Sequence, residues 1–388
     1  MRKVAVIGIG QTKVTENWEK SFRELAGDAI LAALQDANLT TADAFFIGNM
    51  MSSNANHQQN IAAYVTDWIG SRGAESIRVE SACSSGSAAF RAAVLAVASG
   101  EINIAVAAAV EKMTDSPGAE TTAYLATAAS ADWEVEQGVS FVALNALLMQ
   151  RYMHEYKWKH EHFANFSINA HQNAIKNPYA MFHMPVSKER FDHSPIICDP
   201  ITLLDASPIG DGAAAVVIIP FESAFLSTNQ NPITVIGSAA ASDTIAVHDR
   251  TDPLWLSAAE ASAKKAYSQA GIKQQDIDLF EYHDAFTIMA SLSLEACGFV
   301  ERGQAPKLAI ENEIKINGRI PVATMGGLKA RGHPVGATGM YQLIEVVQQL
   351  RGNAGNNQVP EAIYGMAQNI GGSGSNIITH ILTNANYP

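Results

Sequence analysis

Three elements near the start of the chain recur, in the same order, beyond residue 232, and this repeat limits the possible folds more than any other feature. VAVIGIG (4–10) is a short β-branched run ending in glycines and reads as a buried strand. ITVIGSA (233–239) repeats it, with Val6-Ile7-Gly8 matching Val235-Ile236-Gly237. LAGDAILAALQDANLTTADAFFIG (25–48) and AAEASAKKAYSQAGIKQQDIDLFEYHD (258–284) each read as an amphipathic helix, a polar turn and an apolar strand. Asn38 and Gly271 suit the left-handed residue that ends a helix. CSSGSAAFRAAVLAVASG (83–100) lies over HPVGATGMYQLIEVVQQL (333–350), so that Gly86 corresponds to Gly336.

Two βαβ-type halves packed about a pseudo-twofold axis bring equivalent helix starts together. Cys83 and His333 hold equivalent places, so they are expected to converge on one pocket. A thiol beside an imidazole, at the positive end of a helix dipole, is an activated nucleophile. The chain then divides into an N-terminal half (1–112), an insertion that returns to the N-terminal core (113–230) and a C-terminal half (231–388). The insertion carries the aromatic, histidine-rich stretch 151–185 and comes back through DASPIGDGAAAVVIIP (205–220). It is too long for a plain loop and should form a subdomain.

Composition removes several alternatives. The 388 residues are 47% hydrophobic and 16% charged, a globular balance. A net charge of −12 speaks against a nucleic-acid surface, which needs a basic stripe. No unbroken apolar run reaches the roughly 18 residues of a membrane helix, and the start MRKVAVIGIGQTK has too short an apolar stretch for a signal peptide. Cys83, Cys198 and Cys297 are odd in number and far apart, which argues against a disulfide framework and for a reducing compartment. The expectation is a cytoplasmic protein with no membrane and no nucleic-acid partner.

Three further motifs carry chemistry. HDAF (283–286) follows the apolar run IDLFEY, so His283 belongs at a strand end. GGLKARGHPVGATG (326–339) shapes a glycine-rich backbone around His333. AQNIGGSGSN (367–376) is a glycine turn after a strand; its amides suit an oxyanion, and it reads equally as a hairpin or a phosphate loop. Gly8 and Gly10 lack the third glycine of a dinucleotide fingerprint. His154, His160 and His162 lack zinc spacing and read as a solvated face, so no metal is expected. Cys198 and Cys297 read as core thiols.

Taken together, ESACSSG, HDAF, GHPVGATG and the terminal glycine turn resemble the thiolase superfamily over essentially the whole chain. The similarity is greatest to the sterol-carrier-protein-type and archaeal thiolases, which carry HD-x-F where others carry NEAF; AVEKMTD (109–115) and SPIGDGAAAVVI (207–218) share in it. The resemblance implies a five-layered αβαβα fold of two similar halves with an inserted loop domain, a homodimer or homotetramer, and acyl-CoA substrates without a permanently bound cofactor. It implies that Cys83 carries the acyl group as a thioester and that His333 removes its proton. His283 with His333 or a water would form one oxyanion hole, and the backbone amides of Cys83 and Gly371 the other. Archaeal-type relatives are also found with a small OB-fold, zinc-ribbon partner that helps hold coenzyme A.

One departure stands out. Thiolases need a second acid/base for the α-carbon proton, usually a cysteine; the two positions where the family carries it are Asn369 and Ala285 here, and neither side chain exchanges a proton at neutral pH. Cys297 or a histidine takes over, or the carbon nucleophile arises by decarboxylation, or the acyl group passes to an already nucleophilic carbon such as a phenol ring. The leading expectation is reversible acetoacetyl-CoA formation. The competing one is a non-catalytic thiolase-like subunit of a complex.

Overall fold

The computed structural model describes residues 2–227 and 231–385, so the segment ends at 1, 230 and 388 lie outside the described residues. The described strands are β1 (Val4–Gln11), β2 (Ala44–Gly48), β3 (Glu75–Val79), β4 (Ala105–Glu111), β5 (Ile196–Cys198), β6 (Ile201–Thr202), β7 (Gly212–Pro220), β8 (Ile233–Ser242), β9 (Leu279–Glu281), β10 (Tyr364–Gly371) and β11 (Asn376–Thr383). β5 and β6 pair as a small hairpin; the others form one sheet in the order β3-β2-β4-β7-β1-β8-β11-β10-β9.

From the middle outward the two sides have one plan. β1 is followed by β7, β4, β2 and β3; β8 is followed by β11, β10, β9 and a bridge from Phe280 to Val322. β1 and β8 join the halves antiparallel through Val4↔Val235, Ala5↔Thr234 and Val6↔Ile233. Asn38 and Gly271 both take positive φ, 55° and 66°, where their helices end.

Side-chain alternation creates the layers. Along β4, Ala105, Ala107 and Ala109 enter a core with the helices Ser85–Ser99 and Thr338–Leu350. Val106, Ala108 and Val110 face the opposite core, under the helix Phe22–Asp36. On the other side, Met366, Ile370, Ile377 and Ile381 meet the helix Ser257–Ala270. The two sides of this one sheet each lie between the central helix pair and an outer helix, so that helix, sheet side, central pair, sheet side and helix give the five layers. Gly8 and Gly10 serve this packing, because a Cβ at either would overlap backbone of the helix Phe22–Asp36.

The central pair touches at its entrances. A Cβ on Gly86 would lie 2.9 Å from the Gly336 carbonyl oxygen and 3.0 Å from the Met340 nitrogen. The window Ala82–Ser99 is apolar and long enough, by averaged composition, to cross a membrane, although no unbroken run is; in the fold it enters this central helix and 56% of it is buried.

The insertion grips the C-terminal half. Along the helix Ala164–Ala174 and just beyond it, three asparagines donate to backbone carbonyls: Asn169 to Val322 at 3.0 Å, Asn173 to Ala323 at 3.0 Å and Asn177 to Met325 at 2.8 Å. These bonds anchor the run into the glycine-rich loop that holds His333. His160 departs from the expected solvated face: its Nε2 lies 2.6 Å from Asp205 Oδ2 and its ring stacks on Phe191. Cys198 is only partly buried, on β5, rather than in the core.

Candidate active site

Cys83 sits in a tight elbow between β3 and the helix Ser85–Ser99. Ala82 before it is left-handed, with φ 49°, and the surrounding serines hold the turn. Ser85 Oγ accepts from the Ser81 amide at 2.9 Å and donates to the Ala82 carbonyl at 2.6 Å, while Ser84 Oγ donates to the Ser81 carbonyl at 2.6 Å. Small polar residues are what such a crowded elbow admits. Cys83 is 9% exposed as a residue and packs with Met51, Met113 and Val335, the last of these two positions beyond His333.

The helix start does not make this sulfur an ionised nucleophile at rest. Burial, then the Glu111 carboxylate, pushes the thiol up to about 12, against the pull of its own amide and that of Gly372. It rests as S–H and needs a base at the moment of attack.

His283 lies just beyond β9 and His333 in the loop before the helix Thr338–Leu350. Their rings meet edge to face with centroids 5.2 Å apart. Burial holds His283 down to about 3, and burial with His283 and Arg331 holds His333 well below the usual imidazole value. Both are therefore neutral at pH 7, and an unprotonated imidazole can accept a proton. His333 Nδ1 lies 2.7 Å from Thr338 Oγ1, which orients the ring.

The glycine turn is a hairpin: Gly371 pairs with Asn376 across β10 and β11. Gly371 presses on the cysteine elbow, where a Cβ would lie 2.6 Å from the Ser81 carbonyl oxygen and 2.9 Å from Ser84 Oγ. The amide facing the sulfur from this turn is that of Gly372, one residue past Gly371. Asn369 points inward, its Nδ2 3.0 Å from His283 Nδ1. Its neighbour Gln368 points the other way and accepts from Cys297 Sγ at 3.3 Å. Strand alternation therefore puts Cys297 behind β10, in the outer core, and not in the pocket.

Ala285 is buried, and its carbonyl accepts from the Ser207 amide at 2.8 Å. Ile209 bridges to His333. The segment 205–209 thus runs past both loops, and beside it opens a largely apolar cavity of about 200 Å³ lined by Phe182, Met184, Leu203, Ser207 and Lys329 among others.

The sequence reading missed Glu111. This carboxylate is fully buried at the end of β4 and accepts from the Met50 amide at 2.5 Å and the Met51 amide at 3.3 Å. The Gly336 amide also donates to it, and burial raises it to about 7. It ties the N-terminal half to the His333 loop. An acid ending an all-apolar strand, in AVEKMTD, was the available signal.

An αβαβα duplication with a buried thiol and two facing imidazoles between its halves defines a class of acyl-transferring enzymes. Residues 4–222 match the family model for the thiolase N-terminal domain, and residues 239–384 that for the thiolase C-terminal domain-like fold. The chain is 45% identical over 385 residues to an acetyl-CoA acetyltransferase of Methanothermobacter thermautotrophicus, covering 99% of this chain and 100% of that one. It is 39% identical over 391 residues to the acetyl-CoA acetyltransferase of Methanocaldococcus jannaschii, covering 99% of each. A solved structure titled Ltp2-ChsH2(DUF35) aldolase superposes with a TM-score of 0.85 at 26% identity, over 98% of this chain and 97% of that one. The chain belongs to the thiolase family and is an acyltransferase.

Proposed function

We propose that this enzyme transfers acetyl groups from acetyl-CoA to carbon, joining two acetyl-CoA into acetoacetyl-CoA and running in reverse as thiolysis. His333 Nε2 takes the Sγ–H proton as the sulfur attacks the thioester carbonyl. The oxyanion forms against the backbone amides of Cys83 and Gly372, with Gly371, the residue the resemblance implies, alongside. The coenzyme A thiolate leaves with the proton from His333, and Cys83 holds the acyl group. A second acetyl-CoA then loses its α-proton to His333, and its enolate oxygen is held by His283. The enolate carbon attacks the acyl group, and Cys83 leaves as thiolate and recovers the proton. Preorganised donors of this kind supply about 3 kcal/mol each.

The observation that carries this reading is the pair of neutral imidazoles meeting edge to face, with Val335, two residues past His333, packed against Cys83. A vacant second acid/base position supports an alternative acceptor, a carbon such as a phenol ring that is already nucleophilic. The cavity beside Ser207 suits the arm of a coenzyme A thioester, which serves as substrate, with no resident cofactor needed. The exposed edge strand β3, with Ile77 45% exposed, supports a homodimer or homotetramer. The DUF35 named in the similar aldolase structure supports a small partner protein here too. A free thiol at the centre of the chemistry fits the cytoplasm.

Incubation with acetyl-CoA followed by intact-mass measurement tests the reading. We expect one acetyl adduct on the wild type and none on Cys83→Ala. An unmodified wild-type protein would leave the non-catalytic subunit as the better description.

A further inference from the structure

The side chain in the vacant acid/base position decides which nitrogen of His283 carries the proton. The chain of reasoning begins at Gln342, on the helix Thr338–Leu350. Its Nε2 lies 2.7 Å from the Tyr282 carbonyl oxygen, 3.1 Å from that of Gln368 and 3.3 Å from that of Glu281. Three carbonyls converge on one end of this amide, so that end is the NH2; an oxygen there would face three acceptors. The other end, Oε1, is thereby turned toward Asn369, 2.9 Å away. Only a donor can sit opposite it, which fixes that atom of Asn369 as Nδ2.

The second hydrogen of the same NH2 faces His283 Nδ1 at 3.0 Å. An amide NH2 has no lone pair to offer, so Nδ1 must accept. A neutral imidazole carries one proton, and here it must be on Nε2. An imidazolium would set donor against donor at Nδ1, in keeping with a ring that burial already holds to about 3.

We propose that Gln342 and Asn369 are positioning residues that lock His283 as a permanent Nε2–H donor toward the substrate oxygen. This rests on the reading above that His283 faces the enolate. It changes what position 369 does: no proton moves through it, and it holds the donor in register instead. It also makes His283 unfit as the α-proton base and leaves the available lone pair of the two imidazoles to His333. The backbone carbonyls of Glu281 and Gln368, held in β9 and β10, and that of Tyr282, the residue after β9, are the ultimate source of the order.

Nitrogen-15 NMR of histidine-labelled enzyme tests the lock, with the His283 signals assigned by their loss in His283→Gln. We expect Nδ1 to resonate as unprotonated and Nε2 as protonated, unchanged from about pH 6 to 9. A protonated Nδ1 overturns the proposal. Asn369→Asp places an acceptor opposite Nδ1, so the pattern should reverse and condensation should slow by about 10²-fold or more, the scale of a lost oxyanion donor. Acetylation of Cys83, which does not use the His283 donor, should fall less than condensation does. Reversal with undiminished condensation also overturns the proposal. Asn369→Ala, which adds no charge, should give mixed tautomers and serves if the aspartate variant does not fold. If the wild type takes no acetyl group, the proposed function fails, while the tautomer assignment still stands or falls on the spectrum.

Discussion

His283 and His333 face each other with ring planes 86° apart; burial, then Arg331, lowers the basicity of His283, and burial, then His283 and Arg331, lowers that of His333. Neither carries charge at neutral pH, so proton transfer from Cys83 to His333 starts from two neutral groups. His333→Ala should slow acetylation of Cys83 by about 10²-fold or more, the scale of a positioned base. Quenched-flow mass spectrometry measures this directly. Equal acetylation rates in the two proteins would remove His333 from the mechanism.

The Cys83 thiol is raised by burial first and by Glu111 second. With the base removed, alkylation reports the thiolate fraction alone. In a His333→Ala background, iodoacetamide labelling should climb with pH past 9 without levelling, because the thiol titrates near 12. Adding Glu111→Gln removes a negative charge near the sulfur, which favours the thiolate and moves the curve to lower pH. A plateau at the pH of an ordinary thiol, or a curve unmoved by the glutamine, contradicts this account.

Gly86 and Gly336 meet where the central helices begin, and the contact is backbone against backbone. A methyl group on Gly86 cannot be absorbed by a flexible side chain, so the entrances must separate. Gly86→Ala should lower stability by about 1–3 kcal/mol, the usual cost of overpacking. It should also slow acetylation, since Cys83 and His333 are carried by the two separating loops. Urea denaturation and the acetylation rate are the readouts. Full activity in a destabilised protein would uncouple the contact from the site.

The duplication was legible because each half repeats a strand, a helix and a glycine-rich helix entrance at matched positions. The sheet order bears it out, down to the contact between Gly86 and Gly336. The motif residues were legible because few side chains suit the chemistry. Three things were not. Glu111 sits in an apolar strand, and nothing local shows that amides from Met50, Met51 and Gly336 will surround it. Cys297 and Asn369 are separated by which face of β10 each neighbours, and one residue of register decides that. The raised Cys83 depends on burial, which a helix-start argument leaves out.

Beneath the site, Glu281 accepts from the Thr324 amide at 2.8 Å, and burial, then the nearby Glu345, pushes its carboxyl up to about 8. The folded protein therefore keeps a proton on Glu281 that the unfolded chain releases above about 4.5. A group raised in this way contributes its stability below the unfolded value and loses it as pH climbs toward the folded one. Glu281→Gln keeps the shape of the protonated acid and does not titrate. The melting temperature of the variant relative to wild type should accordingly rise between about pH 5 and pH 8, by at least about 2 °C. Scanning calorimetry across that range measures it. A constant difference would mean that Arg331 keeps Glu281 ionised throughout, and the pair Glu281 and Glu345 would then share one permanent countercharge instead of a proton.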